Sequence, residues 1–99
     1  MNITVLIPTF NCEQTILKTL NSVKWADQIV VVDSFSTDNT LKLIKPYKVN
    51  LYQKKYINSA NQKNWALKYC QNDWIFQIDS DEEVNSDSRR IILEAIRNA

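Results

Sequence analysis

Ile29-Val30-Val31-Val32-Asp33 decides the fold. Branching at Cβ restricts χ1 and suits a pleated surface, so four such residues in a row favour an extended chain. They do not alternate with polar residues. The run therefore reads as a strand covered on both faces, as in a parallel sheet. Asp33 ends it, and Ser34 follows at the rim.

The same rhythm recurs on either side. Upstream, Ile3-Thr4-Val5-Leu6-Ile7 is a strand stopped by Pro8. A helix follows, with Asn11 as its cap, Gln14 as a capping-box partner, and Ile16, Leu17, Leu20 and Val23 on one face. Downstream, Ser36 or Thr37 caps a short helix carrying Leu41, Leu43 and Ile44, which Pro46 ends. Val49-Asn50-Leu51-Tyr52 alternates and is expected at a sheet edge. After a loop over 54–58, Ser59 with Gln62 makes a capping box for a helix holding Ala66, Leu67 and Cys70. Trp74-Ile75-Phe76-Gln77-Ile78 is the fourth strand and ends at Asp79; it reads as buried. A last helix starts near Ser86 to Ser88 and carries Ile92, Leu93 and Ile96. Alternating strands and helices predict one α/β domain over residues 1–99, a mostly parallel sheet with helices on both faces.

Composition narrows the function. Over 99 residues the hydrophobic share is 44%, the charged share 23% and the formal net charge +1. No charge field points to nucleic acid, and the Lys54-Lys55-Tyr56 patch near Trp65 is too short to supply one. No apolar run approaches the roughly 20 residues that span a bilayer. The first residues carry no basic leader, so a cytoplasmic location is expected. The chain has no histidine, which excludes Ser-His-Asp catalysis and His-ligated metals within it. It has no glycine either, which excludes a P-loop and a GxGxxG fingerprint. Any nucleotide must be held by other means. Cys12 and Cys70 are far apart in sequence and read as reduced, partly buried thiols.

Ligands of open parallel sheets bind beyond the C-terminal strand ends. Pro8, Thr9 and Asn11, then Asp33 and Ser34, then Asp79, Ser80 and Asp81 all fall there. Residues two apart in an extended segment point the same way, so Asp79 and Asp81 can grip a hard cation that shares its coordination with phosphates. The other reading is a solvated acidic loop before the last helix. Asp33 either accepts hydrogen bonds from a base or ribose, or caps the turn that follows it. Lys63 opposes the dipole of its helix, which a phosphate partner would justify, or it is a surface lysine.

Four segments carry a resemblance. Ile7-Pro8-Thr9-Phe10-Asn11, Val30 to Thr40, Asn61 to Leu67, and Trp74 to Glu82 resemble, in order and spacing, the motifs of family 2 glycosyltransferases. The Trp-strand-DxDE ending is most like the subgroup that builds lipopolysaccharide core. The resemblance implies a Rossmann-like GT-A fold, cut off after the fourth βα unit. It also implies a metal-dependent inverting hexosyltransferase with a UDP-linked or related nucleotide-sugar donor and a glycan or lipid-linked acceptor, working in the cytoplasm or at the inner membrane face. Pro8, Thr9, Asn11, Asp33, Ser34, Lys63, Asp79 and Ser80 would bind the nucleotide sugar. Asp81 with Asp79 would hold Mn²⁺ or Mg²⁺. Ser34 and Phe35 depart from the family's Asp-Gly. The general base and acceptor site are expected beyond Ala99, so this chain alone is expected to be inactive, with a homodimer as its assembly. The rival reading is a truncated, non-catalytic nucleotide-binding module.

Overall fold

The computed structural model describes residues 2–98; Met1 and Ala99, the ends of the expected domain, lie outside them. The elements alternate: β1 (Ile3–Thr9), α1 (Ile16–Ser22), β2 (Gln28–Asp33), α2 (Thr40–Ile44), β3 (Asn50–Gln53), α3 (Ser59–Leu67), β4 (Trp74–Gln77) and α4 (Ser86–Arg97). The four strands form one parallel sheet in the order β3-β2-β1-β4. Every residue of β2 is buried, as its unbroken β-branched run requires.

The pleat sorts side chains to two cores. Val5, Ile7, Ile29 and Val31 face Ile16 and Leu20 of α1, Val23 at its end, and Ile44 of α2. Leu6, Val30 and Val32 face Ala66 of α3 and an aromatic group of Tyr52, Trp65 and Tyr69. Tyr52 stacks on Tyr69 with ring centroids 3.9 Å apart. Each buried Val, Ile or Leu contributes roughly 1.5–3 kcal/mol, so these layers hold the sheet together. The chain moves from β1 to β3 with α1 and α2 on one face. It then returns past β1 to β4 with α3 on the other. Right-handed crossovers demand that change of face when the direction reverses. The reversal falls between β1 and β4.

Several local expectations are corrected. Pro8 does not stop β1, which runs to Thr9 with Pro8 opposite Val32. It stops the pairing with β4 instead. Leu6 is the last β1 residue opposite β4, and its carbonyl accepts from Ile78 N. The next rung would need an N–H at residue 8, which proline lacks. Asn11 is no cap: α1 begins at Ile16, and Asn11 has φ 45°. Leu17 lies about a quarter turn from the inward arc of Ile16, Leu20 and Val23 and is 37% exposed, while Thr19, on the other border of that arc, takes a buried place. The cap of α3 is Asn58, whose side chain accepts from Asn61 N at 2.8 Å. That leaves Gln62 one position too late for a capping box. Ser36 and Thr37 cap nothing, since α2 starts at Thr40 after Asn39. β4 is an outer strand, half open rather than buried. β3 lies at the opposite edge, as its alternation predicted.

Candidate functional site

Because β4 detaches from β1 early, a cleft of about 780 Å³ opens where the strand order reverses. That volume suits a small-molecule ligand, and the position is the usual ligand crevice of doubly wound sheets. Leu6, Pro8 and Thr9 form its floor with Val32 and Ser34. The loop from Phe10 to Thr15 makes one wall, Tyr56, Ser59, Gln62 and Lys63 a second, and Gln77, Asp79, Ser80 and Asp81 a third.

Among the residues picked from sequence, Pro8, Thr9, Asn11, Ser34, Lys63, Asp79, Ser80 and Asp81 all line this cleft. Asp33 does not. It is fully buried beneath the floor. Its Oδ1 accepts from Thr9 Oγ1 at 2.7 Å and from Ser36 Oγ at 2.6 Å, and its Oδ2 accepts from Ser36 N at 2.8 Å. These bonds cap the turn that follows β2. Phe35 also stays out of the lining, at φ 59° on the outer side of the same turn. A left-handed residue with a Cβ costs about 1–2 kcal/mol, and the Asp33 bonds hold this turn in place.

The glycine-free loops are zipped to each other by side chains. Asn11 Oδ1 accepts from Thr37 N at 2.7 Å, and Asn11 N donates to Ser36 Oγ at 2.9 Å. Cys12 N donates to Thr40 Oγ1, and Glu13 N to Asp38 Oδ2. The backbone N–H groups of Asn11, Cys12 and Glu13 are therefore engaged by side chains of the neighbouring loop. Burial pushes the Asp38 carboxyl upward, but hydrogen bonds from the Thr40 hydroxyl, Thr40 N and Glu13 N outweigh it and hold the group below its ordinary value. Both cysteines are free thiols and half-buried. Burial pushes the Cys70 thiol up.

Three features of the walls ask for a ligand. Lys63 projects from one turn into α3 with no ion pair among the described residues, at a helix end that disfavours a cation. Gln62 is 3% exposed. Its Nε2 donates to Ser34 Oγ at 3.0 Å, yet its Oε1 has no partner. A buried acceptor left unpaired costs about 1–3 kcal/mol. The carboxylates of Asp79 and Asp81 accept no hydrogen bond among the described residues, while Asp79 N donates to Glu82 Oε1 at 2.7 Å. No group of three His, Cys, Asp or Glu able to hold a metal occurs among the described residues. The stretch from Asp79 to Glu82 is a turn, with Glu82 N donating to Asp79 O at 3.1 Å, and not the extended segment expected to aim the two acids the same way; two free carboxylates on one wall still fit a hard divalent ion that completes its shell with a ligand's phosphates. Sequence reasoning missed Gln62 as a wall residue. Its signal was present, since it lies one helical turn before the buried Ala66.

A doubly wound α/β domain with a lysine and carboxylates around its switch-point cleft has its polar groups where open α/β sheets bind their ligands. The chain belongs to glycosyl transferase family 2, whose sequence pattern matches residues 4–99. A Rickettsia typhi glycosyltransferase is 37% identical over 86% of this chain and 30% of its own length. The lipopolysaccharide core biosynthesis glycosyltransferase LpsC of Rhizobium meliloti is 30% identical over 95% of this chain and 37% of its own. Residues 1–349 of Staphylococcus aureus TarS, crystallised with UDP-GlcNAc, superpose with a TM-score of 0.78 at 32% identity, over 99% of this chain and 32% of that one. The same TarS region has been crystallised with UDP. The fold is thus GT-A-like and matches the N-terminal part of TarS. The chain spans 30% of the length of the first of these relatives. Among the described residues no helix is long and apolar enough to cross a membrane.

Proposed function

We propose that this chain is the donor-binding part of a metal-dependent inverting glycosyltransferase. The enzyme would transfer a hexose from a UDP-linked sugar to a glycan or lipopolysaccharide acceptor, in the cytoplasm or at the inner membrane face. The observation that carries the reading is one cleft whose walls bring together an unpaired Lys63 and the free carboxylates of Asp79 and Asp81. TarS, a poly(ribitol-phosphate) β-N-acetylglucosaminyltransferase, supports the donor class through its UDP and UDP-GlcNAc complexes. LpsC supports a lipopolysaccharide acceptor.

In this reading Thr9, Asn11 and Ser34 line the nucleoside end, beside Pro8. Asp33 acts from below by fixing the Thr9 hydroxyl. Lys63 pairs with the diphosphate, and Ser80 lies beside it. Asp79 and Asp81 hold Mn²⁺ or Mg²⁺, which when bound neutralises charge on the leaving diphosphate. The general base is assigned to no residue of this chain.

Calorimetric titration of UDP with and without Mn²⁺ tests the assignment. Wild type is expected to bind more tightly with metal, and Asp81→Asn to lose most of that gain while still folding. A wild type indifferent to metal, or an Asp81→Asn variant with the whole gain, would show the acidic triplet to be a solvated loop.

A further inference from the structure

The acidic loop is not free-standing. Thr15 Oγ1 and Thr19 Oγ1 both donate to the Ser80 carbonyl, each at 2.9 Å. One helical turn further on, Ser22 Oγ accepts from Val84 N at 2.9 Å and donates to Thr19 O at 2.8 Å. Spacings of four and three place these hydroxyls on one face of α1. That face is otherwise apolar, with Ile16, Leu20 and Val23 beside it. Thr19 is fully buried there, so its hydroxyl serves the loop and not the solvent.

A carbonyl oxygen has two lone pairs, and those of Ser80 are both taken. Two bonds from two directions fix the peptide plane between Ser80 and Asp81. On the other side the loop closes on itself, with Glu82 N donating to Asp79 O at 3.1 Å and Asp79 N donating to Glu82 Oε1. The backbone around the two acids is anchored to α1 and to Glu82. The carboxylates of Asp79 and Asp81, on the cleft wall, accept no hydrogen bond among the described residues.

We propose that Thr15 and Thr19 are positioning residues for the cation: their shared grip on Ser80 O sets Asp79 and Asp81 in place before any ligand arrives. The inference rests on the metal-dependent donor reading above. Neither threonine touches the ion. They act on its ligands as outer partners of a metal site do, fixing orientation so that binding need not order the loop.

Thr19→Val keeps the side-chain shape and removes the hydroxyl. Thr19→Ser keeps the hydroxyl and removes a methyl group. The measurement is UDP titration with and without Mn²⁺, paired with amide hydrogen exchange of residues 80–83 in the metal-free chain. In Thr19→Val the gain in UDP affinity on adding Mn²⁺ is expected to shrink roughly tenfold, with metal-free UDP affinity unchanged and faster exchange in the loop. Thr19→Ser restores both. If Thr19→Val fails to fold, Thr15→Val carries the same expectation for the metal gain. A hydroxyl-free variant with the full gain and a protected loop overturns the proposal, as does a Ser variant no better than Val. A wild type without any metal gain sinks the donor reading first, and this proposal with it.

Discussion

Asp33→Ala tests whether the turn under the cleft is held as the structure has it. The buried carboxylate takes three short hydrogen bonds, from Thr9 Oγ1, Ser36 Oγ and Ser36 N, and a longer one from Gln53 Nε2 at 3.4 Å. A hydrogen bond to a charged acceptor contributes roughly 1.5–3 kcal/mol. The three are not additive, since two come from Ser36 and part of that residue reaches water. The Thr9 hydroxyl, by contrast, is left without its partner in a buried place. The turn also loses the bonds that hold Phe35 at positive φ. Together these make a loss of about 3–5 kcal/mol. For a domain of this length that lowers Tm by at least about 12 °C. Thermal and urea denaturation followed by circular dichroism measure it. Ser36→Ala is expected to cost less, since it removes the Ser36 Oγ bond to Asp33 and the one accepted from Asn11 N, and the Asp33→Ala/Ser36→Ala double variant is expected to cost less than the sum of the two, because the Ser36 Oγ–Asp33 bond is lost in both. An Asp33→Ala protein melting within about 4 °C of wild type would refute the buried-hub account. A variant that melts like wild type but no longer binds UDP would return Asp33 to direct ligand contact.

Gln62→Met removes the unpaired buried carbonyl together with the Nε2 bond to Ser34 Oγ, so the ligand-free chain should gain at most about 1 kcal/mol in denaturation while UDP binding weakens with and without Mn²⁺; unchanged UDP affinity would separate Gln62 from the ligand. The Asp38 carboxyl lies below its ordinary value of 3.8 in the folded chain. Its ionised form therefore contributes stability that is complete above that pH and is lost as the pH falls through the lower folded-state value. Asp38→Asn should flatten the fall of urea midpoint below pH 3.8, and an unaltered acid profile would contradict this. Both β3 and β4 present an unpaired outer edge, so self-association through an edge is expected; light scattering that reports a monomer at high concentration would count against it.

What the sequence determined by itself is what repeats locally. The β-branched run at Val30 to Val32, the alternating order of strands and helices, and the breaks at Pro46 and Asn72-Asp73 made a parallel sheet with covered faces legible, because period and punctuation are properties of neighbouring residues. The rim residues were legible for the same reason: strand ends are visible in sequence to within a residue or two, and Ser34, Asp79 and Asp81 follow them while Pro8 and Thr9 close β1. Only the tertiary structure decided which polar residue faces the cleft and which serves the frame. Asp33 and Ser34 are adjacent at one strand end, yet the pleat sends one beneath the floor and the other onto it. Asn11 has the composition of a helix cap, but the nearness of Thr37 and Asp38, which follow β2, turned it into a clasp between loops. Gln62 has the spacing of a capping box, but a helix begun one residue earlier at Asn58 freed it to turn inward. Thr19 lies some 60 residues from the carbonyl it holds, a distance that no local pattern bridges. Strand detachment had the same origin: Pro8 is visible as a proline anywhere, but that its missing N–H faces β4 and not β2 depends on the strand order β3-β2-β1-β4. Hydrogen bonds between elements are chosen by topology, and topology is set by the burial of whole faces and not by the residues that later form the site.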